Sequence, residues 1–188
     1  MPLKKIPYKT LGELIKKNLS LNEEAEDEKL FKLLRLAKRR GWLLKSELIM
    51  ICKWKSARAI RHIESNSPQK IKKHTQAAFS SKSEMIKIEE LTKLSGVSIP
   101  MASAILTLTN PKRYGVIDIR VWELLYKIGT MQTNPKGINF NFKEWYRLIV
   151  ILRYHATKFD VSVRDIERTI FKVHKKYQSG RLYKKTQL

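Results

Sequence analysis

The chain has 188 residues, with 39 Lys and Arg against 17 Asp and Glu, a formal charge of +22 and a pI near 10.1. That length suits a single compact helical domain over 1–188, built of two lobes folded together around a real core. So large a cationic excess points to a polyanionic partner before an anionic membrane surface. The longest apolar stretch lies between Arg147 and Arg153, far short of the roughly 18 residues of a membrane span, so no membrane is expected as a partner. Lys4 and Lys5 are followed by no apolar leader, and the single Cys52 excludes an intrachain disulfide and fits a reducing compartment.

The pattern along the chain is helix after helix. Residues 10–18 form a short first helix with Leu11, Leu14 and Ile15 inward. Asn22 is expected to cap a longer second helix that buries Leu30, Leu33, Leu34 and Ala37 and stops at Gly41. Its first turns hold Glu23, Glu24, Glu26, Asp27 and Glu28, and its end holds Lys38, Arg39 and Arg40. Both runs read as helix-end electrostatics on a solvated face. Ser46 opens a third helix, with Leu48, Ile49 and Ile51 inward, that runs out near Trp54. Ser56 caps a fourth through Ala57, Ala59, Ile60 and Ile63. Between them Cys52, Lys53, Trp54, Lys55 and Ser56 make a short basic turn with one aromatic. Ser67 and Pro68 then supply the N-cap and first position of a helix through Ile71, Thr75 and Ala78, and serines 80, 81 and 83 make a polar linker.

A helix, a hairpin and a helix occupy about 84–109. Leu91 and Leu94 close the first stripe, Gly96 supplies a left-handed stop, and Ser98 with Pro100 starts the second helix, which carries Ala102, Ile105, Leu106 and Thr109 on one face. Backbone N–H groups at such a helix N-terminus can grip a DNA phosphate without any base contact. Asn110-Pro111 and Tyr114-Gly115 mark a loop, after which Val116 and Ile117 lead into Asp118. The next helix buries Val121, Leu124, Leu125 and Ile128 and ends at Gly129. The stretch 130–139 has the composition of the most flexible loop. Asn141 caps a helix with Trp145, Leu148, Ile149 and Leu152 inward. Ser162 caps the last, with Val163, Ile166, Ile170 and Val173 inward, before a frayed basic C-terminal tail at about 175–188.

From 94 to 121 the residues resemble the helix-hairpin-helix DNA glycosylase superfamily, which includes endonuclease III-like and 8-oxoguanine DNA glycosylase-like enzymes. The shared pattern is Leu94, Gly96, Val97 and Ala102, followed one helix and a loop later by Ile117 and Asp118. The resemblance implies an all-α fold of two lobes around the helix-hairpin-helix motif, and double-stranded DNA as the partner. It makes Asp118 the catalytic aspartate and gives Gly96, Val97 and Ser98 to the backbone phosphate. Arg120 either falls where related enzymes often carry a basic or polar residue near the DNA backbone or is a surface arginine on the first turn of its helix. The Lys53, Trp54 and Lys55 turn matches a segment that faces DNA, with Trp54 either a wedge in the space left by a flipped nucleotide or a tryptophan of the helix junction.

Two departures stand out. Ser98 replaces the second hairpin glycine, and Pro100 occupies the position of a Schiff-base lysine, so no lyase chemistry is expected from that site. One cysteine cannot hold an iron-sulfur cluster, which leaves no cofactor beyond a monovalent cation at the hairpin. His62, His74, His155 and His174 fall on separate helices and make no metal motif. The expected protein is a monomeric, cytoplasmic or nucleoid-associated DNA-binding protein of base-excision repair that flips a damaged or mismatched base and hydrolyses its N-glycosidic bond. The alternative is a non-catalytic helix-hairpin-helix DNA-binding protein in which Asp118 only caps a helix.

Overall fold

The computed structural model describes residues 3–180, and these fold as an all-α protein whose one bridge pairs Leu3 with Gln178. The helices are α1 (Leu11–Asn18), α2 (Ala25–Arg40), α3 (Lys45–Ser56), α4 (Ile60–Glu64), α5 (Pro68–Ser80), α6 (Glu84–Thr92), α7 (Ile99–Thr109), α8 (Ile119–Lys127), α9 (Phe142–Phe159) and α10 (Val163–Tyr177). Among the described residues no helix is long and apolar enough to cross a membrane.

Helix α7 lies at the centre, packed by α2, α3, α6 and α9. The sequence predicts one buried face, yet every residue from Met101 to Thr109 is buried. A helix buried all round must satisfy its hydroxyls internally. Ser103, Thr107 and Thr109 do so by donating to the carbonyls of Pro100, Ser103 and Ile105 at 2.8, 2.7 and 2.8 Å. The second grouping centres on α10, which packs on α1, α8 and α9. The early part of the chain is thereby fixed to its late part, with the Lys4 N–H donating to the Tyr177 carbonyl at 3.0 Å. Buried apolar side chains from both groupings form one continuous cluster.

Several local expectations change. Helix α2 starts at Ala25 with Glu24 at its N-cap, not at Asn22, because α10 holds the preceding segment extended. There the Ser20 N–H donates to Thr169 Oγ1 at 3.1 Å and Lys172 Nζ donates to the Asn22 carbonyl at 3.3 Å. The buried stripe of α2 is Phe31, Leu34 and Ala37, and Leu33 turns out to solvent. Helix α3 runs unbroken to Ser56, so Trp54 and Lys55 lie on its last turn rather than in a basic turn between helices. A 3-10 turn at Ala57–Ala59 then leads into α4. The loop after α8 is tied to the core, since Trp122 Nε1 donates to the carbonyl of Asn134 at 2.9 Å. Lys175 and Lys176 belong to α10, and the remainder of the basic tail, 181–188, lies outside the described residues.

Candidate functional site

The hairpin between α6 and α7 is pressed onto α4. Gly96 has φ +79°, and a Cβ there would lie 2.9 Å from His62 Cβ and 3.1 Å from the backbone nitrogen of Ile63. Glycine is thus required twice, for the left-handed backbone and for the space. Asn66, almost fully buried, makes the junction: its Nδ2 donates to the Ser95 carbonyl and its Oδ1 accepts from the Ser95 N–H, both at 2.9 Å. Nδ2 also donates to the Ile63 carbonyl at 3.0 Å. The Val97 N–H is spent on the Leu94 carbonyl at 3.1 Å and its side chain is buried. Ser98 is exposed and holds the N-cap position of α7 without a side-chain cap bond.

The segment that delivers Asp118 is anchored just as firmly. Tyr114 is buried, stacks on Trp145 with ring centroids 6.3 Å apart, and donates to Glu84 Oε2 at 2.9 Å. Burial, with Glu84 beside it, pushes the Tyr114 hydroxyl up to about 12. The Ile117 N–H donates to Ser103 Oγ on α7 at 3.1 Å. Gly115 lets the backbone lie against α10, since a Cβ there would come within 2.8 Å of both Glu167 Cβ and Leu152 Cδ1. Asp118 follows as the N-cap of α8, with Oδ1 accepting from the N–H groups of Arg120 at 2.9 Å and Val121 at 3.0 Å. Its other oxygen, Oδ2, lies 3.6 Å from Lys55 Nζ.

Asp118 and Lys55 share a cleft of about 280 Å³, whose lining also includes Trp54, Arg120 and Phe171. The cleft lies where the two helical groupings meet, with walls from the end of α3, the start of α8, the length of α10 and the entry to α2. Its inner wall is ionic. Arg164 grips Glu23 with two nitrogens, at 3.0 and 3.1 Å, and donates to Glu167 at 2.5 Å. Arg168 donates to Glu23 at 2.6 Å and also pairs with Asp165. Trp54 is the apolar wall, its Nε1 donating to Asp27 Oδ1 at 2.8 Å and its ring 5.5 Å from the Arg164 guanidinium.

These contacts set the charge states. Burial works to raise the Glu23 carboxyl, and the paired guanidiniums of Arg164 and Arg168 overcome it and leave it lowered. Glu167 is pushed up, chiefly by complete burial, with Asp118 adding to the rise and Arg164 opposing it. Asp27 is also raised by burial. Among these three, Glu23 is held in its charged form by its guanidinium partners, whereas burial drives Glu167 and Asp27 towards their neutral forms.

Of the residues singled out in the sequence, Trp54, Lys55, Asp118 and Arg120 come together in this cleft, whereas Lys53, Gly96, Val97 and Ser98 do not line it. Lys53 points to solvent from the outer side of α3. The acidic run is no simple helix-end device on a solvated face, because Glu23 and Asp27 turn inward to the cleft. Sequence reasoning missed Glu23, Asp27, Arg164, Glu167, Arg168 and Phe171 as site residues. A signal existed on α10, where Arg164, Glu167, Arg168 and Phe171 recur at i, i+3, i+4 and i+7 and so share one helix face. Among the described residues no cluster of His, Cys, Asp and Glu could hold a metal ion. No protein-family model, curated protein or solved structure matches this chain.

Proposed function

We propose that the chain is a DNA-binding protein of base-excision repair, a monofunctional DNA N-glycosylase that takes a flipped damaged or mismatched nucleotide into the cleft and hydrolyses its N-glycosidic bond with Asp118. The observation that carries this reading is the division of labour within one carboxylate. Two backbone N–H groups immobilise Oδ1, while Oδ2 remains on the cleft side near Lys55. A carboxylate fixed in this way can stabilise an oxocarbenium-like sugar without reorganising, and can orient or deprotonate the attacking water. Arg120 and Lys175, which lie over the Phe171 ring at the same cleft, supply cations for the DNA backbone, and Trp54 supplies an apolar wall beside a base. Pro100 at the start of α7 offers no amine. The reading needs no cofactor. It takes duplex DNA as the partner, the cytoplasm or nucleoid as the place, and a monomer as the working form.

Asp118→Asn tests it. Asp and Asn are nearly equal as N-caps, so folding and DNA binding are expected to stay unchanged. The single-turnover rate of base release from duplexes carrying single lesions is expected to fall about a hundredfold or more. Full excision by the Asn variant rejects Asp118 as the catalytic group. DNA affinity itself should fall about a thousandfold or more between about 50 and about 200 mM salt if roughly 6 to 10 phosphates are neutralised. The two cap bonds on Oδ1 favour a second reading, a non-catalytic DNA-binding protein, which predicts the same salt response but no base release by the unaltered chain.

A further inference from the structure

We infer that the exposed side of α9 is a second binding surface, a stacking platform for single-stranded DNA that is separate from the cleft. The choice of DNA over RNA rests on the reading of the chain as a DNA-binding protein, but nothing in the surface depends on Asp118 or on base release. No α9 residue lines the cleft.

Helix α9 buries Trp145, Leu148, Ile149 and Leu152 on its inner side. The outer side of such a helix should be polar throughout. It is not: Tyr146, Val150 and Tyr154 recur one turn apart and are 44%, 48% and 62% exposed. Lys143, Arg147 and Lys158 are exposed on the same side, since at about 100° per residue all six fall within a sector of about 120°. Among the described residues these three cations have no hydrogen bond or ion pair, whereas Lys17 and Lys32 on other helices pair with Glu13 and Glu28. The neighbouring carboxylate of α9, Glu144, is spent on the Asn141 N–H at 2.9 Å. One ring is set in advance. Tyr146 stacks on Phe142 with ring centroids 5.7 Å apart, and Phe142 in turn leans on the buried Trp145 at 5.9 Å.

Charge and ring chemistry choose the occupant. A second copy of the chain carries the same +22 and would be repelled. An acidic amphipathic helix needs a ridge of apolar anchors at i, i+3, i+4 and i+7, and here a single valine separates two tyrosines. A DNA duplex shows its bases only as edges in the grooves, which gives a tyrosine ring nothing to stack on. A single strand presents a phosphate chain together with unpaired base faces. Cations and tyrosines interleaved along one line can hold both without reading sequence. Lys143 and Lys158 lie about 22 Å apart along the helix axis, room for about six stacked nucleotides at about 3.4 Å each.

The test uses the whole chain and a fluorescent oligothymidylate of about eight nucleotides, titrated beside a DNA duplex. Tyr146→Leu with Tyr154→Leu keeps the charge and favours the helix. It should weaken single-strand binding about tenfold or more, with duplex affinity and melting temperature unchanged. Lys143→Gln with Arg147→Gln should lower the slope of log affinity against log salt by about 0.7 for each cation removed. An oligothymidylate carrying 5-iodouracil should cross-link on irradiation to Tyr146 or Tyr154 of the unaltered protein, as located by peptide mass spectrometry. Undiminished single-strand binding by the leucine variant overturns the proposal, as does an equal loss for the duplex or cross-linking confined to the cleft. So does tighter binding of oligouridylate, or of polyglutamate of equal charge, through the same tyrosines, which would give the face to RNA or to an acidic protein. Should the leucine variant fail to fold, the cross-linked position in the unaltered protein decides alone. Single-strand binding at α9 without base release from any lesion would sink the glycosylase reading and keep this one. Base release by a protein that forms no α9 cross-link would do the reverse.

Discussion

The hairpin and the Asp118 segment are both short stretches of backbone pressed against a helix through a glycine, and they are held by opposite means. Gly96 meets backbone atoms and the Cβ of α4, and its neighbours are fixed by neutral hydrogen bonds from Asn66. Gly115 meets the side chains of Glu167 and Leu152, and the helix behind it is braced by Arg164 and Arg168 against Glu23. Neutral contacts with a rigid wall are indifferent to pH and salt. A wall of paired charges at the cleft edge depends on each charge having its partner, because removal of one leaves another buried and uncompensated.

Arg164→Met should show this most strongly. It strips Glu167 of its cation and Glu23 of its bidentate partner, at a cost of about 3–5 kcal/mol in denaturant unfolding. That loss should shrink as pH falls, since a carboxyl already raised by burial takes up its proton more readily in the folded than in the unfolded chain. A loss unchanged with pH would mean that shape, not charge, holds the wall. The two glycines come next. Gly96→Ala combines a left-handed backbone with overpacking against backbone and should cost about 2–4 kcal/mol. Gly115→Ala has no positive φ and meets side chains that can shift, so about 1–3 kcal/mol is expected, with the Asp118 segment displaced. Thermal melts of both variants, with base release measured on the second, would separate fold from site.

The same wall carries a pH signature at Glu23, whose carboxyl is held below its ordinary range by Arg164 and Arg168 once they overcome burial. Its stabilisation is complete above the unfolded value of about 4.3 and is lost as pH falls through the lowered folded value. The melting temperatures of the unaltered chain and Glu23→Gln should therefore differ most above about pH 5 and converge in stronger acid. A gap that widened on acidification would overturn the pairing.

The all-α class, the capped starts at Ser67, Asn141 and Ser162, and the left-handed Gly96 were legible because each is written in neighbouring residues, whereas Ser83, read as part of a linker, caps α6. Asp118 as the N-cap of α8 was legible for the same reason. The start of α2 was not. Asn22 is a good cap by local chemistry, but its segment is held extended by Thr169 and Lys172, which no window around it contains. The cleft was half legible. Trp54, Lys55, Asp118 and Arg120 could be picked out locally, while the inward turn of Glu23 needs two arginines on α10 that local charge rules assign to solvent.

The separation between Glu23 and its partners also bears on the order in which the molecule can be made. Glu23 waits for Arg164 and Arg168, 141 and 145 residues further on, and Ser20 waits for Thr169 across 149. During synthesis α2 to α7 can gather around their own core while the entry to α2 has nothing to hold it, because its anchor on α10 has not yet emerged. Closing so long a loop comes late and is rewarded only when the ionic wall assembles. The cleft is thus a seam, closed between Glu23 and residues 141 and 145 positions further along the chain. A nascent chain that already has its hairpin still has no cleft.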